Sequence, residues 1–483
     1  MIDPMPSSSK VTRFDFHLVW PLVLSSTEGA LRALNTEGSK WKNSLQETPQ
    51  SEAYAVHHFL LPHVREILRP QHQFRRTDLD TILVDIDGET TVGLAVTAVE
   101  LKIFESRIAT FSFSARAMDA FDLRTVQLFS HRLRRSYAGY WNVDPKARNV
   151  PSTVTFISRD GHRQDIPIDI PPFLNPLKGS TPRLKDEILP YWTYLLAPLK
   201  HDPDFELINP DVGFINPHNE QIPCLRFIGL TDSTLSDDEH VSVGLAEPLE
   251  QHPKKFRDRF FALNTYDRWW ALPRFTTRFF ITGQAFTILA AADDHFSEFL
   301  STHLRRQYLQ LHILALIIRS GLELHRESLF RAGKRLDTQN LESEIDNIDK
   351  LLEAYLYFVR GNLVQKVSGQ EQGQEIFERI CRANQLPQLE KETAEMASKL
   401  RSHSETFYTK RTSETTIRLA IVGGLGMALG LVFGFWGMNF FQFEREELGV
   451  SLILWFFASV CVSLAFAGIV AKYWRKINRR VLS

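Results

Sequence analysis

Asn439 ends a Gly437-Met438-Asn439 triplet, and Glu444, Glu446 and Glu447 follow a few residues later beside the single cation Arg445. These side chains could handle a divalent cation without stripping it. Mg²⁺ gives up hydration water reluctantly and keeps several waters when bound. The Asn439 amide oxygen and the backbone carbonyls near Gly437 could hydrogen-bond that water shell, which makes Asn439 the candidate metal contact. The three glutamates would raise the cation concentration at an entrance; a solvated polar turn explains any one of them equally well. From Leu419 to Phe443 no side chain is charged, so nothing there would trap a divalent ion by direct ion pairing.

Reactive chemistry elsewhere is thin, and the chain is expected to be no enzyme and to carry no cofactor. No phosphate-binding loop ending in Gly-Lys-Ser/Thr is present, so ATP-driven pumping is not expected. The glycine-rich run from Gly423 to Gly430 imitates a nucleotide loop, but no strand precedes it. Gly426, Gly430 and Gly434 read instead as a small-residue ladder that lets helix backbones approach closely. His57, His58, His63 and His72 match no standard zinc spacing and read as a histidine-rich helix surface. Asp293, Asp294 and His295 stand before a long helix and suit its N-terminus, with a cation site as the other reading. The acidic stretch from Asp78 to Glu89 lacks the EF-hand pattern and reads as strand and turn. Cys224, Cys381 and Cys461 are too scattered for a disulfide framework or a metal pair. A net charge of -1 with 23% charged residues speaks against a nucleic-acid partner.

The elements around the triplet are the most regular in the chain. The runs 417–436 and 451–471 are each about 20 apolar residues long, enough to cross about 30 Å of hydrocarbon as a helix. Lys410 and Arg411 precede the first, Arg418 stands at its entrance, and Lys472, Arg475, Lys476, Arg479 and Arg480 follow the second. That bias predicts a membrane hairpin with both termini in the cytoplasm and the acidic turn outside. Between Gln388 and Val422 there is no Gly or Pro, so one helix could run unbroken into the first span and act as a lever. Leu389, Met396, Leu400 and Phe407 suggest a partial heptad seam along it. Helices are also predicted from His295 to Phe330 and from about Leu341 to Val367.

Before His295 the pattern is mixed. Alternating or β-branched runs at DTILVDIDG, TTVGLAVTAVELKIF, ATFSFSA, STVTFISRDG and PCLRFIGLT predict strands. Helical patterns fall near 53–68 and 121–140, and proline-rich stretches at 169–184 and 215–223 read as loops. The apolar run from Phe16 to Leu24, interrupted by Pro21, reads as a buried strand rather than a signal peptide. The expected fold is therefore α+β with a membrane hairpin. Its parts are an N-terminal α/β domain over 1–294, a helical bundle and stalk over 295–415, a two-helix transmembrane hairpin over 416–471 and a basic tail over 472–483.

A long helix leading to a span that closes on Gly-Met-Asn, a short acidic turn, and a second span with a basic tail together resemble the CorA family of divalent-cation transporters and channels. The resemblance is specific from Ile417 onward, looser over 295–415, and general before that. It implies a homopentamer in the lipid bilayer of a bacterial inner membrane, with the first span lining a pore and Asn439 at its mouth. Leu419 and Met427 stand at the distances from the triplet where the family has hydrophobic pore positions, and would gate. A third pore position, often polar, is Gly430 here, and the family's acidic stalk position falls near Ser402. The implied cargo is Mg²⁺, with Co²⁺, Ni²⁺ or Zn²⁺ as alternatives, moving passively. One charge crossing 100 mV is worth about 2.3 kcal/mol, hence about 4.6 kcal/mol for a divalent ion. The rival readings are a zinc or other transition-metal transporter on the same scaffold and a non-transporting, membrane-anchored sensor.

Overall fold

The structure is a computed structural model that describes residues 9–44, 50–137, 149–168, 188–199, 214–215, 221–231, 235–266, 277–291, 294–335 and 341–437, and four positions beyond (457, 458, 461 and 465). Fourteen described strands form one mixed sheet. Its main path runs β12 (Thr265–Tyr266), β13 (Arg278–Ile281), β14 (Ala285–Ala291), β11 (Cys224–Leu230), β1 (Lys10–Leu24), β6 (Ile108–Ala117), β5 (Thr91–Ile103), β4 (Leu79–Asp85), β8 (Thr153–Ser158) and β9 (Arg163–Pro167). β2 (Trp41–Asn43) pairs with β3 (His72–Arg76), β3 with β5, and β7 (Phe121–Asp122) and β10 (Phe214–Ile215) with β1. Among the described pairings only β11 with β14 is parallel.

Period-two alternation makes the two faces of this sheet different. On β1, Phe14, Phe16, Leu18, Trp20, Leu22 and Leu24 enter the large apolar core, where Phe111 and Phe113 of β6 join them. Asp15 and His17 alternate with them, as do Ser112 and Ser114 on β6. Pro21 is tolerated in β1 because of where the ladders end. It pairs with Thr110 of β6, while on the other side β11 stops at Leu18 and β10 begins at Val23. The missing N–H therefore falls in a gap between two partners.

The apolar face is covered by α1 (Thr27–Leu34), α4 (Leu123–Leu133), α5 (Pro190–Leu196), α6 (Asp237–Leu245) and α7 (Lys254–Asn264), whose Leu34, Phe129, Trp192, Val241 and Phe260 belong to the same core. Ser26 and Asp122 cap α1 and α4, and Ser236 with Glu239 forms a capping box on α6, satisfying N–H groups that helix starts leave open. Two further helices, α2 (Gln50–Phe59) and α3 (Pro62–Ile67), precede β3. Past the sheet come α8 (Asp294–His303), a π-helical turn (Leu304–Tyr308), α9 (Leu309–Arg335), α10 (Leu341–Asn362), α11 (Glu371–Ala383) and α12 (Leu386–Gly437). The α9 helix lies against β1 and β6. From Leu311 to Ile318 it is buried on all sides, as its apolar composition demands.

The chain divides into two compact units, 1–398 and 399–483. The unbroken helix expected from Gln388 to Val422 is present as α12, 52 residues long with Pro387 in its first turn. The membrane hairpin is not upheld. Among the described residues no helix is long and apolar enough to cross a membrane. That finding overturns the α+β fold with a transmembrane hairpin, and with it the channel and the integral, inner-membrane placement with both termini cytoplasmic. The physical reason lies in α12 itself. It carries charges up to Arg418, which leaves 419–437, about 28 Å of described helix, uncharged against about 30 Å of hydrocarbon. The second expected span, 451–471, lies outside the described residues except for Phe457, Ala458, Cys461 and Ala465, each helical and exposed.

Candidate functional site

The residues that sequence reasoning assembled into a cation path fall on the far end of α12 or beyond it. Gly437 is the last residue of α12. Met438, Asn439, Glu444, Glu446 and Glu447 lie outside the described residues, as do Asp293 and most of the loop stretches 169–184 and 215–223. Leu419 and Met427 are 67% and 72% exposed, and no described atom stands within 4 Å of where a Cβ on Gly426, Gly430 or Gly434 would be. At about 100° per residue, these five positions share an arc of about 100° on one side of the helix. The structure thus leaves the expected gate and packing residues open, as it does Val422, Gly424 and Leu429 outside that arc.

The histidine-rich helix separates as expected for a surface. His57 and His58 are exposed on α2, His63 contacts the Lys366 carbonyl at 3.0 Å and His72 belongs to β3. Among the described residues no three His, Cys, Asp or Glu side chains are grouped to hold a metal.

A different site, unforeseen in the sequence, opens on the polar face of the sheet. β4 pairs with β5 only from Thr91 to Ala95, and β3 takes over from Glu100. On that edge Val96 to Val99 have no strand among the described pairings, and on the opposite edge the register with β6 slips between Val96 and Ala98. A cavity of about 310 Å³ sits at this fork, roofed by α2, the π-helical turn and the start of α9. Arg75, Arg76, Lys102, Arg159, Arg305 and Arg306 line it, with Glu100 the single lining carboxylate. Arg76 is held by Asp78 through Nε at 3.0 Å and Nη2 at 2.6 Å. Glu100 is shared between Arg75 and Lys102, the latter at 3.4 Å. Burial pushes the Glu100 carboxyl up, but Lys102 and Arg75 outweigh it and leave it below the usual range. Among the described lining residues six cations thus meet one carboxylate, with Asp78 behind Arg76. Neither Arg159 nor Arg305 has a side-chain hydrogen bond or ion pair among the described residues.

Hydroxyls complete the floor. Thr97, Ser112 and Ser114 line the cavity, and Ser114 Oγ is 2.9 Å from His17 Nδ1. Burial lowers the His17 imidazole to about 4, so it is neutral near pH 7. Beside it, Asp15 accepts from Arg116 Nε at 2.6 Å, Arg13 Nε at 3.0 Å and the Ser301 hydroxyl at 2.7 Å. Burial raises the Asp15 pKa, and these partners more than reverse it. On the other side of the sheet, fully buried Arg226 donates to Gln127 Oε1 at 2.6 Å and to the Val243 carbonyl, and Arg134 donates to the Leu245 carbonyl at 3.3 Å. Two guanidinium groups therefore close the negative end of α6.

No protein-family model and no curated protein matches the chain. The signal that could have found the basic cavity was faint. It consists of two Arg-Arg pairs, 75–76 and 305–306, whose meeting depends on sheet register.

Proposed function

We propose that the chain serves the movement of divalent metal cations, Mg²⁺ first, as a non-enzymatic, CorA-like homo-oligomer of five copies acting without ATP. The proposal concerns the chemistry and self-assembly of α12 and assigns no bilayer-crossing helix. What carries it is the stripe on α12. Leu419, Gly426, Met427, Gly430 and Gly434 lie on one side of one helix and are open in a single copy. Exposed apolar side chains interleaved with glycine favour close association of helices of the same kind, and a closed ring is the ordinary result of symmetric assembly. The Gly437-Met438-Asn439 triplet follows directly, where neutral oxygens suit a hydrated ion.

The test joins assembly to flux. Native mass spectrometry of the purified chain is expected to give five copies, and cells expressing it are expected to take up Mg²⁺ faster than controls. Asn439→Ala should abolish the gain. A monomer, or uptake unaltered by Asn439→Ala, refutes the proposal. Uptake of Zn²⁺ in place of Mg²⁺, dependent on a pH gradient, would instead favour the transition-metal reading. A non-transporting sensor is the second reading, favoured by the size of the unit 1–398 and its cationic cavity.

A further inference from the structure

From the cavity at the fork between β3, β4 and β5, we infer that unit 1–398 binds a soluble small molecule bearing two linked phosphate groups. This inference is independent of the cation proposal, since every residue involved lies in the first unit and none on the α12 stripe.

Charge is the first ground. Six cationic side chains line about 310 Å³ with Glu100 the single lining carboxylate and Asp78 behind Arg76, and Arg159 and Arg305 are answered by neither. Converging like charges destabilise a fold unless an anion joins them. A phosphate group carries about 1.5 to 2 negative charges near neutrality, so two linked groups carry about three to four.

Geometry is the second ground. Arg75 and Lys102 rise from the strands, Arg305 and Arg306 descend from the π-helical turn, and Arg159 stands at the rim beyond β8. The cations therefore approach from separate elements, as needed to span two phosphorus centres rather than to grip one. Two of them, Arg159 and Arg305, are uncommitted among the described residues. Arginine forks match phosphate oxygens in pairs. Neutral donors are also present: with His17 in the Nδ1–H tautomer, the Ser114 hydroxyl accepts from His17 and keeps its own proton for the cavity. The third ground is where the cavity sits. A strand fork with a register slip and a π-helical turn are both irregularities that cost regular hydrogen bonds, and both recur at functional sites. Here they face each other across the same space.

The full-length chain titrated with sodium pyrophosphate by calorimetry at low salt should bind one equivalent per chain. Orthophosphate should bind at least tenfold more weakly. Arg305→Gln and Arg159→Gln should each raise Kd for pyrophosphate by about ten- to a hundredfold without lowering the ligand-free melting temperature, because each removes a like charge and no bond that supports the fold. Lys255→Gln, an exposed charge on α7 outside the cavity, should leave Kd unaltered. ADP titrated alongside separates the sources. Affinity equal to or above that of pyrophosphate identifies the diphosphate of a nucleotide, and weaker affinity identifies free pyrophosphate; either supports the inference. No binding of either probe at millimolar concentration overturns it. So does an equal loss in Lys255→Gln, or undiminished binding in both arginine variants.

Discussion

His312 sits in the all-round buried part of α9, and neither ring nitrogen has a hydrogen-bond partner among the described residues. Burial alone lowers its pKa from 6.5 to about 4, with no charged neighbour contributing. In the folded chain the ring is therefore neutral through the range where the unfolded chain protonates it. Above pH 6.5 both states hold it neutral and it exerts no pH effect. As pH falls below 6.5 the unfolded state takes up the proton first, so stability is lost progressively until about pH 4. At pH 5 the loss is 1.5 pH units at about 1.36 kcal/mol each, or about 2 kcal/mol. His312→Leu removes this term together with two unsatisfied polar atoms, whose burial costs about 1–3 kcal/mol. The variant should be more stable than the parent by about 1–2 kcal/mol at pH 7.5 and by about 2 kcal/mol more at pH 5. Urea denaturation followed by tryptophan fluorescence at both pH values measures this. His17, His131 and His325 are also lowered by burial, to about 4, about 3 and about 4, while burial raises Glu247 and acts in the opposite sense. All are common to both proteins and cancel in the difference. A His312→Leu protein less stable at pH 7.5, with the parent's acid slope intact, would mean that the imidazole is held by a hydrogen bond, and would refute the reasoning.

Three other perturbations test the packing and polar links of the first unit. A Cβ on Gly321 of α9 would overlap the ring of Phe358 on α10, nearest its Cζ. Gly321→Ala should therefore cost about 1–3 kcal/mol from overpacking despite its helix propensity gain of about 1 kcal/mol, and Phe358→Leu in the same chain should recover part of the loss in melting temperature. Arg226→Met strips the Gln127 amide oxygen of its donor and leaves the Val243 carbonyl only the Thr287 hydroxyl at 3.4 Å, and should destabilise by about 1–3 kcal/mol in urea denaturation. Asp15→Asn weakens the contacts to Arg13, Arg116 and Ser301, with an expected cost of about 1–3 kcal/mol, because Arg116 is half exposed. Since Asp15 has a lowered pKa, its contribution is present above its unfolded value of 3.8 and lost as pH falls below it, so the variant should lack part of the parent's destabilisation below pH 3.8.

Local pattern and long-range pairing were unequally legible. The runs DTILVDIDG, TTVGLAVTAVELKIF, ATFSFSA, STVTFISRDG and PCLRFIGLT all became strands (β4, β5, β6, β8 and β11), because alternation is written in adjacent residues. The unbroken α12 was legible from the lack of Gly and Pro between Gln388 and Val422. The apolar stretch around Pro21 was read as a strand, but that β1 would be central, with its proline in a gap between β11 and β10, depends on partners about 200 residues away. Hydropathy misled at 417–436, where an apolar run with Arg418 as its one charge suggested a bilayer span that no described helix supplies. The cavity was invisible for the opposite reason. Arg75, Lys102, Ser114 and Arg305 carry no shared motif and meet only through the register of β3, β5 and β6 and the phase of the π-helical turn.

That phase has a consequence of its own. Tyr308 ends the wide turn and is locked among Phe59, Phe279 and Phe286, while Gln372 Nε2 donates to its hydroxyl at 2.9 Å. The aromatic cage pins everything after it. Deleting one residue from Leu304–Tyr308 would tighten the coil to ordinary α geometry and twist the preceding stretch by about 100°. Ser301 would leave the Asp15 carboxylate, and Arg305 would turn away from the strands, so a single codon sets the rotational timing of both.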